Sequence, residues 1–292
     1  MSAGIYTARS NLKTVIIEKG PPGGQLHNTA EIENYCGFTT IMGPELAEKM
    51  EAHARSLEIE FVRDTVTKII DGKEKIVQTE SGTEYRAKAV IVSAGGHPRY
   101  IEKPGEKEYW GKGVSYCATC DGFFYRNKDI AVIGGGDSAF EEGNYLTKFG
   151  KKVTLIHRRD DFRAQAILQD RYKNAGNTEI LTNKVVKEIA GTETEGVRKV
   201  VLEDVKTGVI SELAADGVFI FVGFIPNNHV FPEGVEFDES GAAITDHKCE
   251  TKIPGIFAIG DVRKQFTRQV ATAVGDGATA GVAASQYIDE LD

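Results

Sequence analysis

Two cysteines separated by two residues are the pair in this sequence best suited to chemistry. The stretch SYCATCDGFF places Cys117 and Cys120 at this spacing. Such a pair can close into a small-ring disulfide, and the leading thiol is often acidified when a helix follows, which gives a thiolate near neutral pH. Asp121, next to the second cysteine, is a candidate proton donor and acceptor for thiol-disulfide exchange.

This CxxC has two other interpretations. It could be half of a zinc site, or a structural pair that stays reduced. The sequence contains no second CxxC and no HxxxH that could complete a zinc tetrahedron. We therefore favour the redox interpretation and expect no metal. The remaining cysteines, Cys36 and Cys249, are interpreted as buried structural thiols.

A glycine pattern of the dinucleotide-binding type follows the cysteine pair. Gly134, Gly136 and Ala139 form G-x-G-x-x-A directly after an apolar stretch, residues 130–133, and directly before a helical one. The first glycine allows a tight turn, the second lets the backbone approach a pyrophosphate, and the small third residue lets helix and strand pack closely. Glycines at strand ends are usually only turns, but these flanking elements favour a nucleotide site.

Basic residues stand where the next strand ends. The stretch KKVTLIHRR carries His157, Arg158 and Arg159 at the position where an NAD site has an acid for the ribose 2′-hydroxyl, and Arg163 follows. Guanidinium groups there would clamp a 2′-phosphate through bidentate hydrogen bonds. The cluster predicts NADPH rather than NADH; the alternative is a solvated basic start of a helix.

The first strand of the chain ends on an acid instead. The opening MSAGIYTARSNLKTVIIEKG is typical of a helix running into a strand that ends on Glu18. An acid there suits an unphosphorylated ribose, as in FAD or NAD. Taken alone, Glu18 would be an ordinary exposed strand terminus. Together, two dinucleotide sites of different preference suggest a flavoprotein that takes electrons from NADPH.

Two alternating stretches lie between and after these motifs. Residues 68–96 and 194–227 each predict a β-meander that closes on an apolar strand, and each leads into a turn-rich crossing, near Pro98 and near Pro226. The residues after Pro226 are too few for a third domain. The sequence therefore predicts one discontinuous domain with another inserted in it.

Composition and charge exclude several classes of partner. The 292 residues include 35 Lys and Arg against 43 Asp and Glu, a formal net charge of -8, which argues against a general nucleic-acid or anionic-membrane surface. The longest apolar run, VFIFVGFI, is far shorter than the roughly 20 residues of a membrane span. The N-terminus has no basic segment followed by an apolar one. We expect a cytoplasmic location without nucleic-acid or membrane partners.

Five stretches in order and spacing carry a resemblance to a known family. CATCDGFFYRNK, VIGGGDSAFEE, HRRDDFRA, GIFAIGDV and RQVATAVGDG together resemble low-molecular-weight thioredoxin reductase, and the likeness runs over nearly the whole chain. The resemblance implies an α/β fold of two Rossmann-like dinucleotide-binding domains of the three-layer ββα type. Residues 1–98 and 227–292 would form the FAD domain, and residues 99–226 the NADPH domain inserted in it.

The resemblance also implies roles for individual residues. Cys120 would lie against the flavin, Cys117 would attack thioredoxin, and Asp121 would be the acid and base. The implied FAD contacts are Glu18, Lys19, Gly23, Gly24, Gln25, Asn34, Gly260, Asp261, Arg268, Gln269 and Val270. The implied NADPH contacts are Gly134, Gly136, Asp137, Ser138, His157, Arg158, Arg159 and Arg163.

In the family, electrons pass as hydride from NADPH to FAD, then to the cysteine pair, then to a protein disulfide. The NADPH domain rotates between the half-reactions, so the crossings near Pro98 and Pro226 are hinge candidates. Family members are homodimers through the FAD domain, so we expect a homodimer. Two alternatives to a thioredoxin reductase remain. One is an enzyme of the same scaffold that serves another dithiol acceptor, and the other is a flavin-free NADPH-binding or scaffold protein.

Two positions depart from the family pattern. Cys36, in ENYCGF, stands where the family usually has proline. Met1 aligns just after the third glycine of the family's first G-x-G-x-x-G, so the first strand and that turn are absent from the sequence. We expect a natural protein that starts further upstream. The alternatives are a chain that binds FAD weakly or not at all, and a partner that supplies the strand.

Overall fold

The computed structural model describes residues 1–29 and 31–291, and these form two compact units. Unit 1 comprises Met1–His97 and Ile225–Asp292, and unit 2 comprises Pro98–Phe224. The sequence-based boundaries lie after residues 98 and 226. Which cofactor each unit holds stays a prediction. No helix in the described part of the chain is long and apolar enough to cross a membrane.

The α-helices number six in the described residues. They are α1 Ser2–Arg9, α2 Gly43–Arg55, α3 Ala118–Asp121, α4 Asp137–Leu146, α5 Ala166–Lys173 and α6 Val270–Asp289. Short 3₁₀ turns occupy Gly24–Asn28, Gly122–Tyr125, Asn228–Val230 and Gly260–Val262.

The β-strands are short, and most of them follow one another without an intervening α-helix. They are β1 Val15–Glu18, β2 Glu31–Ile32, β3 Ile41–Met42, β4 Glu60–Arg63, β5 Val66–Ile70, β6 Lys75–Thr79, β7 Glu84–Ala87, β8 Val90–Val92, β9 Gly96–Pro98, β10 Val114–Ser115, β11 Asp129–Gly134, β12 Lys152–Ile156, β13 Thr178–Leu181, β14 Lys184–Thr192, β15 Gly196–Asp204, β16 Ile210–Ala214, β17 Gly217–Phe221, β18 Phe224–Pro226 and β19 Ile256–Ala258. The predicted helix running into a strand that ends on Glu18 is confirmed by α1 and β1.

A five-stranded parallel sheet forms the middle of unit 2, in the order β10-β17-β11-β12-β13. Side chains of a strand point alternately to its two faces, so β11 serves two cores. Ala131 and Ile133 pack with one hydrophobic cluster, and Ile130 and Val132 with another. This double burial explains why the strand is apolar throughout.

Different elements cover the two faces of that sheet. On one side lies the antiparallel meander β14-β15-β16, which contributes Ile189 and Leu202 to the core. On the other lie helices α4 and α5, which contribute Phe140, Leu146 and Tyr172. Unit 2 thus has three layers, and the predicted α/β fold class is confirmed.

Unit 1 repeats this layering with smaller pieces. Strands β8 and β19 form a parallel pair, β1 and β4 form another, and β5-β6-β7 form the predicted antiparallel meander. Ile256 and Ala258 of β19 share a core with the meander residue Ile69, whereas Phe257 between them packs with Ala284 of α6. The single strand β19 therefore connects the meander to the helical layer.

Close contact with α1 fixes the position of α6. A Cβ atom on Gly281 would lie 2.7 Å from Tyr6 Cβ, and one on Gly277 would lie 2.9 Å from the Ala3 nitrogen. Only glycine fits at such distances, and the two glycines lie four residues apart on one helix face. The packing fixes the middle of the helix whose first turn carries the predicted FAD residues Gln269 and Val270.

Candidate dithiol and dinucleotide sites

The two cysteines of the CATC turn form a disulfide in this structure. Their Cα atoms lie 5.3 Å apart, and the Cys117 sulfur accepts the Cys120 N–H at 3.2 Å. Cys117 is the N-cap of the one-turn helix α3. Both residues are half-buried. The pair is thus joined in its oxidised form, ready to accept two electrons.

Asp121 is held beside this disulfide by a buried serine. The Ser115 hydroxyl, on a residue only 2% exposed, donates to Asp121 Oδ2 at 2.5 Å, and the Cys117 N–H donates to Ser115 Oγ at 3.1 Å. Burial raises the pKa of Asp121, and the hydrogen bond from Ser115 opposes that rise. The carboxyl is therefore suited to hold a proton next to the thiols.

The glycine turn after β11 leaves no room for side chains on its inner side. A Cβ on Gly134 would lie 2.5 Å from the Phe221 carbonyl oxygen and 2.6 Å from Ala139 Cβ. At Gly136, in contrast, a Cβ would meet no described atom within 4 Å. The turn is closed toward the sheet and open where the backbone would meet a diphosphate.

The first two residues of α4 differ in their contacts: Asp137 is hydrogen-bonded within the unit, and Ser138 is exposed. Asp137 accepts the Gln165 N–H at 2.8 Å and the Gln165 side-chain amide at 3.3 Å, so its carboxylate ties α4 to the start of α5. Ser138, the next residue, is exposed. The structure therefore leaves Ser138 accessible to a ligand and gives Asp137 a role within the unit.

His157 braces the glycine turn. Its Nδ1 lies 3.0 Å from the Gly134 carbonyl oxygen and its Nε2 lies 3.1 Å from that of Asp161. Burial is the main cause that lowers the pKa of His157, with Arg158 and Arg159 acting in the same direction and the two carbonyls opposing. The neutral ring is favoured, and it can donate to only one of the carbonyls.

The three predicted 2′-phosphate ligands are exposed. Arg158, Arg159 and Arg163 all lie at the surface after β12, and within residues 1–29 and 31–291 none of their guanidinium groups pairs with a carboxylate. The backbone N–H of Arg163 donates to the Gly135 carbonyl at 3.0 Å, which fixes the arginine segment to the glycine turn. The charges are thus close to the turn and available for a phosphate.

In unit 1, the predicted FAD residue Glu18 is the last residue of strand β1. Its carboxylate accepts the Gly20 N–H at 3.4 Å, and in the β1-β4 register it lies opposite Arg63. Lys19 is exposed. The acid sits at the carboxyl end of a parallel strand, where nucleotide ribose binds in folds of this type.

The PGGQ turn follows β1 and contacts both Ala47 of α2 and Gly96 of β9. Gly23 has a φ of 130°, and a Cβ there would lie 2.5 Å from Ala47 Cβ, so glycine is required. Gly24 also has a positive φ, of 52°. The Gln25 amide donates to the Gly96 carbonyl at 3.4 Å.

Two predicted FAD residues that are far apart in sequence meet at the start of α6. The Asn34 amide donates to Gln269 Oε1 at 3.0 Å. Gln269 is also the N-cap of α6, in a capping box with Thr272, and Val270 is the first residue of the helix. The hydrogen bond therefore fastens the ENYCGF turn to a defined helix end.

The IGD turn is fixed by a residue that the sequence analysis did not identify. Gly260 has a φ of 65°, and its N–H donates to Asp276 Oδ2 at 3.0 Å. The other oxygen of Asp276 accepts from Arg263 at 2.7 Å, with both side chains about 15% exposed. Burial raises the pKa of Asp261 in this turn, and Arg268 opposes the rise.

The structure thus brings the predicted residues together in groups. Cys117, Cys120 and Asp121 form one group, the glycine turn with its arginines another, and Asn34 with Gln269 a third. Ser115, Glu142, Arg263 and Asp276 were missed. Ser115, Glu142 and Asp276 lie within the quoted stretches SYCATCDGFF, VIGGGDSAFEE and RQVATAVGDG, so their place in these motifs was the signal available in the sequence.

The interpretation of the two other cysteines is half right. Cys249 is buried as predicted, and burial raises its pKa to about 11. Cys36 is exposed, so its interpretation as a buried thiol is wrong. It lies between Tyr35 and Phe38, whose rings stack on each other, and precedes Gly37 with a φ of 112°. In this surface turn the apolar contact is made by the aromatic rings and not by the sulfur.

Comparison with known proteins places these sites in a family. The profile of the pyridine nucleotide-disulphide oxidoreductases matches residues 1–277. The chain is 48% identical over 291 residues to thioredoxin reductase of Bacillus subtilis (strain 168), covering 100% of this chain and 92% of that protein. The corresponding protein of Listeria innocua is 46% identical, with 100% and 91% covered. The chain belongs to this oxidoreductase family.

A solved structure supports the same assignment at the level of the fold. Thioredoxin reductase from Streptococcus pyogenes MGAS5005 superimposes with a TM-score of 0.94 at 49% identity, over 99% of this chain and 94% of that one. The predicted resemblance to the low-molecular-weight thioredoxin reductases is confirmed. The enzyme is an NADPH-dependent flavoprotein disulfide reductase that uses FAD and NADPH.

The described residues fit both cofactors. In unit 2, Gly136 lies open beside three exposed guanidinium groups, as the diphosphate and 2′-phosphate of NADPH require. In unit 1, Glu18 at a strand end and the Gly260 turn held by Asp276 fit the ribose and backbone-contacted parts of FAD.

Proposed function

We propose that this enzyme reduces the disulfide of a thioredoxin, through Cys117 and Cys120, with electrons from NADPH. One observation carries the proposal: the CATC disulfide lies beside the buried Ser115–Asp121 pair. The relatives that cover the whole chain are themselves called thioredoxin reductases, which supports thioredoxin as the acceptor. When bound, NADPH supplies a hydride and FAD supplies a carrier of two electrons.

Unit 2 supplies the groups for binding NADPH in this proposal. Arg158, Arg159 and Arg163 hold the 2′-phosphate and so discriminate against NADH. The backbone at Gly136 and the start of α4, with Ser138, faces the diphosphate, because free N–H groups at a helix N-terminus attract anions. His157 contributes indirectly, by contacting the Gly134 carbonyl and so fixing the glycine turn. Asp137 contributes indirectly as well, by accepting the Gln165 N–H and so fixing the start of α5.

Unit 1 supplies the groups for binding FAD. Glu18 accepts from the adenosine ribose, and the exposed Lys19 lies beside it. The remaining contacts come from four places: the PGGQ turn, the ENYCGF turn, the IGD turn and the start of α6. They are Gly23, Gly24, Gln25, Asn34, Gly260, Asp261, Arg268, Gln269 and Val270. Their support is the hydrogen bonding that fixes each of these turns.

The reduced pair performs the exchange with thioredoxin in two steps. The Cys117 thiolate attacks one sulfur of the thioredoxin disulfide, forming a mixed disulfide as the other sulfur leaves and takes a proton from Asp121. The Cys120 thiolate then attacks Cys117, which re-forms the disulfide of the enzyme and releases the second thioredoxin sulfur. The two electrons of the dithiol thereby pass to thioredoxin.

A direct test uses the purified enzyme with a thioredoxin from the same cells. We expect thioredoxin reduction with NADPH, a much lower rate with NADH at equal concentration, and loss of activity in Cys120→Ser. Cys36→Ser is the matched control, since Cys36 is an exposed free thiol outside the CATC turn. Preference for NADH, or activity retained in Cys120→Ser, would refute the proposal. Faster reduction of the disulfide form of another acceptor would refute thioredoxin as the substrate.

Two further proposals concern assembly and location. We propose a homodimer on the basis of the family resemblance, and a cytoplasmic enzyme on the basis of the apolar runs and the N-terminus of the sequence. Analytical ultracentrifugation and cell fractionation are the measurements that test them.

A further inference from the structure

Helix α4 carries a carboxylate that reaches the CATC turn. Glu142 lies on α4, which begins at the glycine turn, and its Oε2 accepts the Ala118 N–H at 3.1 Å. Ala118 is fully buried. On the same helix, Leu146 lies close to Gly122, where a Cβ would be 3.0 Å from Leu146 Cδ2. The redox turn therefore rests on α4 along its length.

Glu142 is a partly buried acid without a cation. Burial is the main cause that raises its pKa, the N–H groups of Ala118 and Thr119 lower it, and Glu141 raises it. Within residues 1–29 and 31–291, Glu142 forms no ion pair. The two backbone N–H groups of the CATC turn are its hydrogen-bond donors.

The backbone donors of α3 are thereby divided between two acceptors. The Cys120 N–H points to the Cys117 sulfur at 3.2 Å, whereas the Ala118 and Thr119 N–H groups serve Glu142. A thiolate at Cys117 is stabilised by such N–H groups and destabilised by a nearby carboxylate. Glu142 thus occupies the N–H groups that neighbour the donor of the sulfur and places a negative charge on the same turn.

We infer that Glu142 is a positioning residue that fixes the first turn of α3 and restrains the acidity of the Cys117 thiol. The inference rests on the proposed exchange role of Cys117 and deepens it. A thiol that is less acidic is also a stronger nucleophile once ionised, so the restraint sets the balance between the fraction of thiolate and its reactivity.

Four other titratable groups on or near α4 are Asp121, Tyr125, Glu141 and Tyr172. Asp121 on α3 is bonded by Ser115, and Tyr172 on α5 donates to the Val153 carbonyl at 2.8 Å. Tyr125, which follows α3, has a pKa raised to about 12 by burial, with Asp121 and Asp216 adding to the rise. Glu141 is exposed and on the same helix as Glu142. It therefore provides a matched control.

The test measures the pKa of the Cys117 thiol in full-length Cys120→Ser enzyme, without NADPH or thioredoxin. The Cys117 thiolate attacks the methylene carbon of iodoacetamide, forming a carbon–sulfur bond as iodide leaves. The rate is followed by mass spectrometry of the Cys117 peptide between about pH 5 and 10. We expect Glu142→Gln, which keeps an acceptor oxygen but removes the charge, to lower the thiol pKa by about one unit.

Two variants control the measurement. Glu141→Gln should leave the pH profile in place, and Glu142→Asp, which keeps the charge, should shift it much less than Glu142→Gln. Near-ultraviolet circular dichroism checks that each variant is folded. A Glu142→Gln profile that coincides with the parent, or a Glu142→Asp shift as large as that of Glu142→Gln, would overturn the inference. Because no acceptor is present, the result is independent of whether thioredoxin is the substrate.

Discussion

Strands β1 of unit 1 and β12 of unit 2 have similar sequences but different surroundings. Both are short apolar runs that follow a helix, VIIE and KVTLI. β12 lies between β11 and β13 in a five-stranded sheet, whereas β1 pairs with β4 in a two-stranded one. Val153 is consequently fully buried, whereas Val15 is 38% exposed. Burial of a strand depends on its neighbours more than on its own composition.

The sites at the ends of these strands also differ in construction. The site after β12 presents exposed guanidinium charges, but the predicted FAD residues of unit 1 are fixed by partly buried hydrogen bonds such as that between Asp276 and Gly260. Substitutions in unit 1 should therefore alter stability together with binding. Substitutions at the arginines should alter binding alone.

The largest effect is expected from Asp276→Ala. The change removes the acceptor of the Gly260 N–H and leaves the mostly buried Arg263 without its carboxylate partner, which should lower the free energy of unfolding by about 3 kcal/mol. Flavin content, measured by absorbance of the purified protein, should fall, while the affinity of unit 2 for NADPH stays unchanged. Asp289→Ala, at an exposed position of α6, is the control. Undiminished flavin content would contradict the assigned role of Asp276.

A smaller effect, confined to binding, is expected from Arg158→Ala. Loss of a charge-assisted hydrogen bond should weaken NADPH binding by roughly 2 kcal/mol, while NADH binding is unchanged because NADH has no 2′-phosphate. Isothermal titration with each nucleotide measures both values. Arg171→Ala removes an exposed arginine from α5 and should have no effect. Equal weakening for both nucleotides would show that the arginine does not recognise the 2′-phosphate.

The smallest effect is a pH shift in Ser115→Ala. The Ser115 hydroxyl lowers the pKa of Asp121, so its removal should raise that pKa further. Because protonated Asp121 is the proposed acid, the loss of kcat/KM for thioredoxin with rising pH should occur at a higher pH than in the parent. Ser285→Ala, in unit 1, should leave the profile unchanged. A shift in the opposite direction would exclude Asp121 as the acid.

Local elements of this protein could be predicted from the sequence. The apolar strand, glycine turn and helix of β11-α4 are contiguous, and the meander β5-β6-β7 follows from alternation within one stretch of chain. The second meander was predicted only in part, because its first strand β14 precedes residues 194–227. The cysteine pair and the glycine turn were predictable for the same reason, since CxxC and G-x-G-x-x-A place the required groups within a few residues. Most of the candidate FAD contacts came instead from the family resemblance.

The supporting contacts could not be predicted in this way. Asn34 and Gln269 are separated by 235 positions, and Ala118 and Glu142 by 24. Nothing in either segment specifies its partner. The exposure of Cys36 was misjudged because cysteine is usually buried, whereas the aromatic pair around it decides the packing of that turn.

By itself, the sequence determined the α/β class and the cysteine pair, and it predicts a phosphorylated ribose at one strand end and an unphosphorylated ribose at the other. These depend on the period of apolar residues and on charges next to strand ends, which are local properties. Only the tertiary structure decided which acids and amides hold those groups in place, because hydrogen-bond partners are chosen by packing across distant segments. The two clearest instances are Asp276, which accepts the Gly260 N–H, and Glu142, which accepts the Ala118 N–H of the CATC turn.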